Sequence, residues 1–282
     1  MKSVVVTGVS TGIGWGCAKV LAQAGFRVFG SVRRQEDAER LQREFGDALS
    51  PLLFDVTDEA AVAAAARTVE AALGDETLTG LVNNAGVAVP GPLTYLKTED
   101  FRRQLEVNLV GPLIVTKAFA PLLGTDQARK GALGRIVMIS SIGGRSAAPF
   151  MGAYSASKFG LEGMSESLRR ELMLFGIEVI VIAPGAVATP IWAKAKDLDA
   201  QFAATPYAPA MAKVKRYIMS AAERGLPPER VGEAVKIALT APKPKVRITV
   251  APKPIQNWLM GVLPKRFVDN QMAKRLGLKR SE

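Results

Sequence analysis

SVVVTGVSTGIG, residues 3–14, runs from a valine-rich strand through three glycines spaced GxxxGxG into a helix predicted over 13–24. A turn placed there aims backbone N–H groups and the positive end of the helix dipole at an anion. Glycine lets such a turn approach a pyrophosphate closely. An ordinary strand-to-helix turn uses glycine too, so the triplet gains meaning only from its surroundings.

Outward from that turn the chain alternates short β-rich runs with helical stretches. Strands are predicted over 26–32, 52–54, 81–83, 134–140 and 176–183, and helices over 36–45, 58–73, 98–123 and 154–175. Acids open the 58–73 helix, where the dipole favours them, and Thr98 is placed to cap the next. The run Val-Ile-Val-Ile inside 176–183 suits a strand covered on both faces. Strand–helix alternation implies a parallel sheet with helices on both sides, and right-handed crossovers make it doubly wound, a Rossmann fold. After Pro190 the rhythm changes: one or two helices over 191–226, a helix over 229–239, a last strand over 246–250, and two short amphipathic helices in 255–278 broken at Pro264. The expected organisation is a single α/β domain over 1–250, with 191–226 as a helical substrate lid, followed by a basic amphipathic extension over 251–282.

A chain of 282 residues can bury a sizeable core. It contains no histidine, which removes Ser-His-Asp and Cys-His nucleophile systems and His-ligated zinc; no metal is expected. The one cysteine, Cys17, cannot form an internal disulfide. The opening MKSVVVTGVS has an apolar run of only three valines, short for a signal-peptide core, and the expected location is the cytoplasm. The net charge of +11 is uneven: residues 243–282 hold ten Lys/Arg against two acids, Asp269 and Glu282, and carry +8 of it. The remainder is close to balanced, so nucleic acid is not an expected partner.

Several motifs fall at the carboxyl edge of the predicted sheet, where ligands bind in such folds. The second strand ends Ser31-Val32-Arg33-Arg34, with no acid to accept from a ribose 2′-hydroxyl. Arg33 and Arg34 can instead pair with a 2′-phosphate, which predicts NADP(H) over NAD(H). Asp55-Val56 and Asn83-Asn84-Ala85-Gly86 follow the third and fourth strands, and Ser140-Ser141 follows the fifth. Tyr154-Ser155-Ala156-Ser157-Lys158 puts a phenol and an amine at i and i+4, on one helical face. An ammonium nearby favours the phenolate and brings the phenol toward acid–base chemistry at neutral pH.

Together these motifs resemble the short-chain dehydrogenase/reductase family over 3–190, and more loosely to the end: TGVSTGIG, DV at 55–56, NNAG at 83–86, Asn108, SS at 140–141, YSASK at 154–158 and PGAVATP at 184–190. The resemblance implies hydride transfer between nicotinamide and a carbonyl or alcohol carbon. It makes Tyr154 the acid/base and has Lys158 lower its pKa and bind the nicotinamide ribose. Ser141, rather than Ser140, orients the carbonyl, and Asn108 holds a water that relays protons to Lys158. Gly8, Ser10, Thr11, Gly12, Ile13 and Gly14 are implied at the pyrophosphate and Asp55 and Val56 at adenine. Asn83, Ala85 and Gly86 are implied at the adenosine ribose, and Pro184, Gly185, Val187 and Thr189 at the carboxamide end. The alternative within this fold is a catalytically silent NADPH-binding regulator, which usually lacks the Tyr or the Lys.

The ending, with GRSAAPFMGAYSASKFGLEGMSESLRREL, looks most like the retinol dehydrogenase and 17β-hydroxysteroid dehydrogenase branch. That implies a lipophilic ketone, aldehyde or secondary alcohol: steroid, retinoid or long-chain lipid. Ile191 and Trp192 are the expected substrate contacts beside Ser141 and Tyr154. Phe202, Tyr207, Met211 and Met219 are read either as further lining or as plain core. The helices over 98–123 and 154–175 resemble the family's dimerisation surfaces, so a homodimer is expected. The basic tail either packs on the body of the protein or lies on an anionic membrane surface.

Overall fold

A computed structural model describes residues 1–191, 197–252 and 263–278. Seven strands, β1 (Ser3–Val6), β2 (Arg27–Val32), β3 (Leu49–Leu53), β4 (Gly80–Asn83), β5 (Arg135–Ile139), β6 (Glu178–Pro184) and β7 (Arg247–Val250), form one sheet ordered β3-β2-β1-β4-β5-β6-β7. Every pairing is parallel, with Val5 opposite both Phe29 and Leu81. The chain winds outward from β1 to β3, crosses back to β4 and winds the other way. That reversal opens a crevice outside the carboxyl ends of β1 and β4, the general ligand position in open α/β sheets.

The valine run reads as it does because both faces of β1 are covered. Val4 and Val6 pack with Leu21, Leu41 and Val235 under α1 (Gly12–Gln23), α2 (Gln35–Phe45) and α9 (Pro228–Thr240). Val5 points the other way, to Val62, Phe119 and Leu161 under α3 (Glu59–Leu73), α5 (Gly111–Ala120) and α6 (Gly152–Glu171). This is the period-2 alternation of a strand with two buried faces. Side chains such as Leu81 and Phe119 are fully buried, each contributing about 1.5–3 kcal/mol. The ion pair Lys19–Glu229 at 2.9 Å ties α1 to α9.

The long helix predicted over 98–123 is interrupted. α4 (Thr98–Leu105) passes into a π turn at Glu106–Val110, then α5, then a second π turn at Pro121–Thr125 where Gly124 has φ 114°. Lys97, not Thr98, occupies the cap position, and Thr98 is the first helical residue. Thr98–Thr125 is long and apolar enough to cross a membrane by length and composition, yet over half of its apolar window is buried in the fold.

Beyond β6 the chain forms α7 (Leu198–Gln201) and α8 (Ala208–Arg224), and after β7 it forms α10 (Lys265–Leu276). Leu198, Phe202, Met211, Val214 and Ile218 make a third apolar cluster with Phe150, against which Leu276 and Leu278 pack. The first of the two tail helices expected over 255–278 lies largely outside the described residues.

Candidate active site

The turn after β1 is rigidly built. Gly8 and Gly12 have φ of 71° and 61°, in the left-handed region that glycine tolerates without strain. Gly14 has no room for a side chain: a Cβ there would sit 2.1 Å from the Gly8 carbonyl oxygen and 2.5 Å from Asn84 Nδ2. That amide donates to the Thr7 and Gly8 carbonyls at 2.8 and 3.2 Å. The Thr7 hydroxyl accepts from the N–H groups of Asn84 and Ala85, and the Ser31 hydroxyl accepts from Gly8 N–H at 2.9 Å. Thr11 precedes α1 without a side-chain capping bond, so the first N–H groups of the helix face the crevice uncapped. A turn held this close to the neighbouring backbone, with free donors at a helix start, fits a pyrophosphate.

The crevice, about 330 Å³, is lined by Gly8, Ser10, Thr11, Gly12, Ile13 and Gly14 at one end. Val32, Arg33, Asp55, Val56, Ala85 and Gly86 follow along the sheet edge. Asn108, Ser141, Tyr154, Lys158, Pro184, Gly185, Val187, Thr189 and Ile191 complete the other end. Most residues singled out in the sequence therefore share one cavity. Arg33 lies 3.6 Å from Asp55. Burial pushes the Asp55 carboxyl up, but the Thr57 N–H and hydroxyl and the Arg33 cation outweigh it and leave the group below its ordinary value.

Two expected contacts are placed elsewhere. Arg34 stands outside the lining and pairs with Asp37 at 3.0 Å, because it precedes α2 and turns back along that helix. Asn83, the last residue of β4, points through the sheet and donates to the Thr116 hydroxyl at 3.0 Å, whereas Asn84 lines the crevice. Strand alternation decides which of the two asparagines faces the ligand side. Trp192 lies outside the described residues. Phe202 and Met211 are buried in the third apolar cluster and serve as core, while half-buried Tyr207 packs on that cluster, edge-on against Tyr95 and Phe150.

At the catalytic end, Tyr154 is hydrogen-bonded to the Ser141 hydroxyl, which also accepts from Gly143 N–H at 3.0 Å. The Ser140 hydroxyl turns away and donates to Glu162 at 3.0 Å. Lys158 is buried, with Nζ donating to the Ile139 carbonyl at 2.8 Å and lying 5.9 Å from the centre of the Tyr154 ring. The expectation that the amine depresses the phenol's pKa is not met in the chain alone. Burial raises Tyr154 above its ordinary value and the Ser141 bond offsets this only in part. Burial likewise pulls Lys158 down to about 8, with Glu162 acting against that fall.

Asn108 occupies the π turn. Its Oδ1 accepts from Val87 N–H at 2.9 Å and its Nδ2 donates to the Val87 carbonyl at 3.0 Å and the Ser157 hydroxyl at 3.1 Å. Gln104, one turn earlier and fully buried, brackets the same loop through Val89 N–H and the Val87 carbonyl. Gln104 escaped the sequence reading, and Asn84 and Ser31 were quoted there within their motifs but given no role. Only the i, i+4 spacing of Gln104 and Asn108 gave any hint of the first.

A doubly wound sheet with a glycine turn at its switch point and a Ser-Tyr-Lys set across the same crevice defines a dinucleotide-binding oxidoreductase site. The family model for short chain dehydrogenases matches residues 2–199. An NADPH-dependent 3-dehydrocapnine reductase from Ornithobacterium rhinotracheale is 39% identical over 278 residues, 98% of each chain. Mouse retinol dehydrogenase 5 is 37% identical, covering 94% of this chain and 86% of the relative. A short-chain dehydrogenase from Streptomyces avermitilis superposes with TM-score 0.77 at 27% identity, covering 100% of this chain and 98% of that one. The chain belongs to the short-chain dehydrogenase/reductase family, and it stands near the retinol dehydrogenase branch. It is an oxidoreductase acting at CH–OH and C=O groups.

Proposed function

We propose that the protein transfers hydride between NADP(H) and a lipophilic ketone, aldehyde or secondary alcohol, with Tyr154 moving the proton. The observation that carries this reading is the gathering of Ser141, Tyr154 and Lys158 in the same crevice as the glycine turn. The turn residues Gly8 to Gly14 would hold the pyrophosphate, Asp55 and Val56 the adenine, and Thr189 and Val187 the carboxamide end. Arg33, at a β2 terminus without an acid, would meet the 2′-phosphate, and a relative of full length is named as NADPH-dependent. Bound NADPH supplies the hydride.

The chain's own residues do the rest. Ser141 holds the carbonyl oxygen against the phenol. Tyr154 donates its proton to that oxygen as the carbon is reduced. Lys158, fixed by the Ile139 carbonyl, stabilises the phenolate left behind, and Asn108 fixes the neighbouring loop. A lipophilic substrate is supported by the relatives named for retinol and by Pro190 and Ile191 at the mouth, where 191–226 would serve as the lid. Exposed Leu113 on α5 and Phe159 on α6 support a homodimer through these helices. Lys265, Arg266, Phe267, Lys274 and Arg275 on exposed positions of α10 suit peripheral contact of a cytoplasmic protein with an anionic membrane.

The test is a panel of steroid, retinoid, aliphatic and aromatic carbonyls followed by NADPH absorbance, repeated with Tyr154→Phe. Turnover on apolar carbonyls should fall at least ~100-fold in the variant while NADPH affinity stays near wild type. Retained turnover would defeat the assignment of Tyr154, and turnover confined to polar sugars would defeat the lipophilic reading.

A further inference from the structure

Glu162 lies on α6 one turn beyond Lys158 and two turns beyond Tyr154, so the three share one helical face. Its carboxylate is 11% exposed and joins three separate parts of the chain. Arg247, the first residue of β7, grips it with Nε at 2.9 Å from Oε2 and Nη2 at 3.0 Å from Oε1. Arg145, from the loop after β5, donates through Nε at 3.2 Å. The Ser140 hydroxyl donates to Oε1 at 3.0 Å.

Ser140 sits between the two anchors of the catalytic set. Ile139 before it offers the carbonyl that takes the Lys158 ammonium, and Ser141 after it bonds Tyr154. The packing around Ser140 is tight: a Cβ on Gly144 would meet its Oγ at 2.7 Å and Glu162 Cγ at 3.1 Å. Burying a carboxylate is expensive unless it is paired and fully hydrogen-bonded, and here every partner belongs to the frame behind the catalytic groups.

We propose that Glu162 is a positioning residue for proton transfer: it anchors the 139–141 strand end that orients Lys158 and Ser141, and supplies the counter-charge behind the Lys158 ammonium. The inference rests on the reading of Tyr154 and Lys158 given above. The charged and titratable groups around Lys158 are few. Its own helix offers Tyr154 and Glu162, the loop after β5 offers Arg145, and β7 offers Arg247. The facing α4 and π turn present the neutral side chains Gln104 and Asn108, while Glu99, Arg102, Arg103 and Glu106 on them are exposed and Asp100, in the first turn of α4, is half-buried.

The test follows the Lys158 Cε resonance by NMR in full-length, ligand-free protein labelled at lysine, assigned by its loss in Lys158→Arg. The wild-type midpoint is expected near 8. Glu162→Gln removes the anion and should lower that midpoint by about half a unit or more. Arg247→Gln removes a cation and should raise it. Arg145→Gln, 66% exposed and free of core packing, should raise it less and keeps the test open if Glu162→Gln does not fold. Opposite shifts from the two signs of charge are not produced by a merely structural role. A midpoint within about 0.2 unit of wild type in the folded variants overturns the inference. Turnover retained by Tyr154→Phe would instead defeat the underlying reading of the site.

Discussion

Replacing Gly14 by alanine tests whether the turn after β1 is a cofactor cradle built by close approach. The added Cβ would lie 2.1 Å from the Gly8 carbonyl oxygen, 2.8 Å from the Gly8 carbonyl carbon and 2.5 Å from Asn84 Nδ2. Ordinary contact needs about 1 Å more, and two of the three atoms are backbone, so the turn itself must move. Overpacking of this kind costs roughly 1–3 kcal/mol. Asn84 would also lose its bonds to the Thr7 and Gly8 carbonyls, about 1 kcal/mol each. At roughly 2–4 °C per kcal/mol, the melting temperature should fall by about 6–20 °C. A displacement of ~1 Å in the donors around a pyrophosphate should weaken NADPH binding on the order of 100-fold. The assay is a fluorescence titration with NADPH beside a thermal melt. Gly25→Ala is the control: its φ of 81° makes alanine strained by about 1 kcal/mol, but nothing lies within 4 Å and the residue is outside the crevice. It should lower the melting temperature slightly and leave NADPH affinity unchanged. Gly14→Ala binding NADPH within about threefold of wild type would refute the cradle.

Other expectations address charge and protonation. Arg33→Ser should raise the KM for NADPH by ~10-fold or more and leave NADH nearly unaffected; equal effects on both cofactors would remove Arg33 from 2′-phosphate recognition. Lys158 titrates near 8 when folded against an ordinary 10.5, so the unfolded chain binds more protons between those values. The cost of burying its charge is therefore fully present below pH 8 and is relieved as pH rises toward 10.5. Relative to Lys158→Met, wild type should therefore gain stability as pH rises from 8 to 10, as read by denaturant melts; parallel pH profiles would contradict a depressed Lys158. Burial pushes the Cys17 thiol up to about 12, so native protein should resist a thiol reagent at pH 8 and react only on unfolding; rapid native labelling would contradict the packing of α1.

The sequence by itself determined the doubly wound sheet, because valine runs, the glycine turn and strand–helix alternation are local patterns that only a parallel sheet buries on both faces. It also determined which motifs meet, since the carboxyl ends of parallel strands share one edge. The tertiary structure alone decided which side chain of each motif faces the crevice. Asn84 rather than Asn83 lines it because a single step along a strand end reverses the face, and Arg33 rather than Arg34 because Arg34 precedes α2 and pairs with Asp37. Only packing showed Phe202 and Met211 as core, since apolar residues at helical spacing read alike in a lining and in an interior. The upward shift of Tyr154 and the downward shift of Lys158 likewise follow from burial, which spacing does not encode. The Glu162–Arg247 pair joins residues 85 apart in the chain, and nothing local in either stretch signals the other: such contacts exist only once the sheet has brought β7 beside β6.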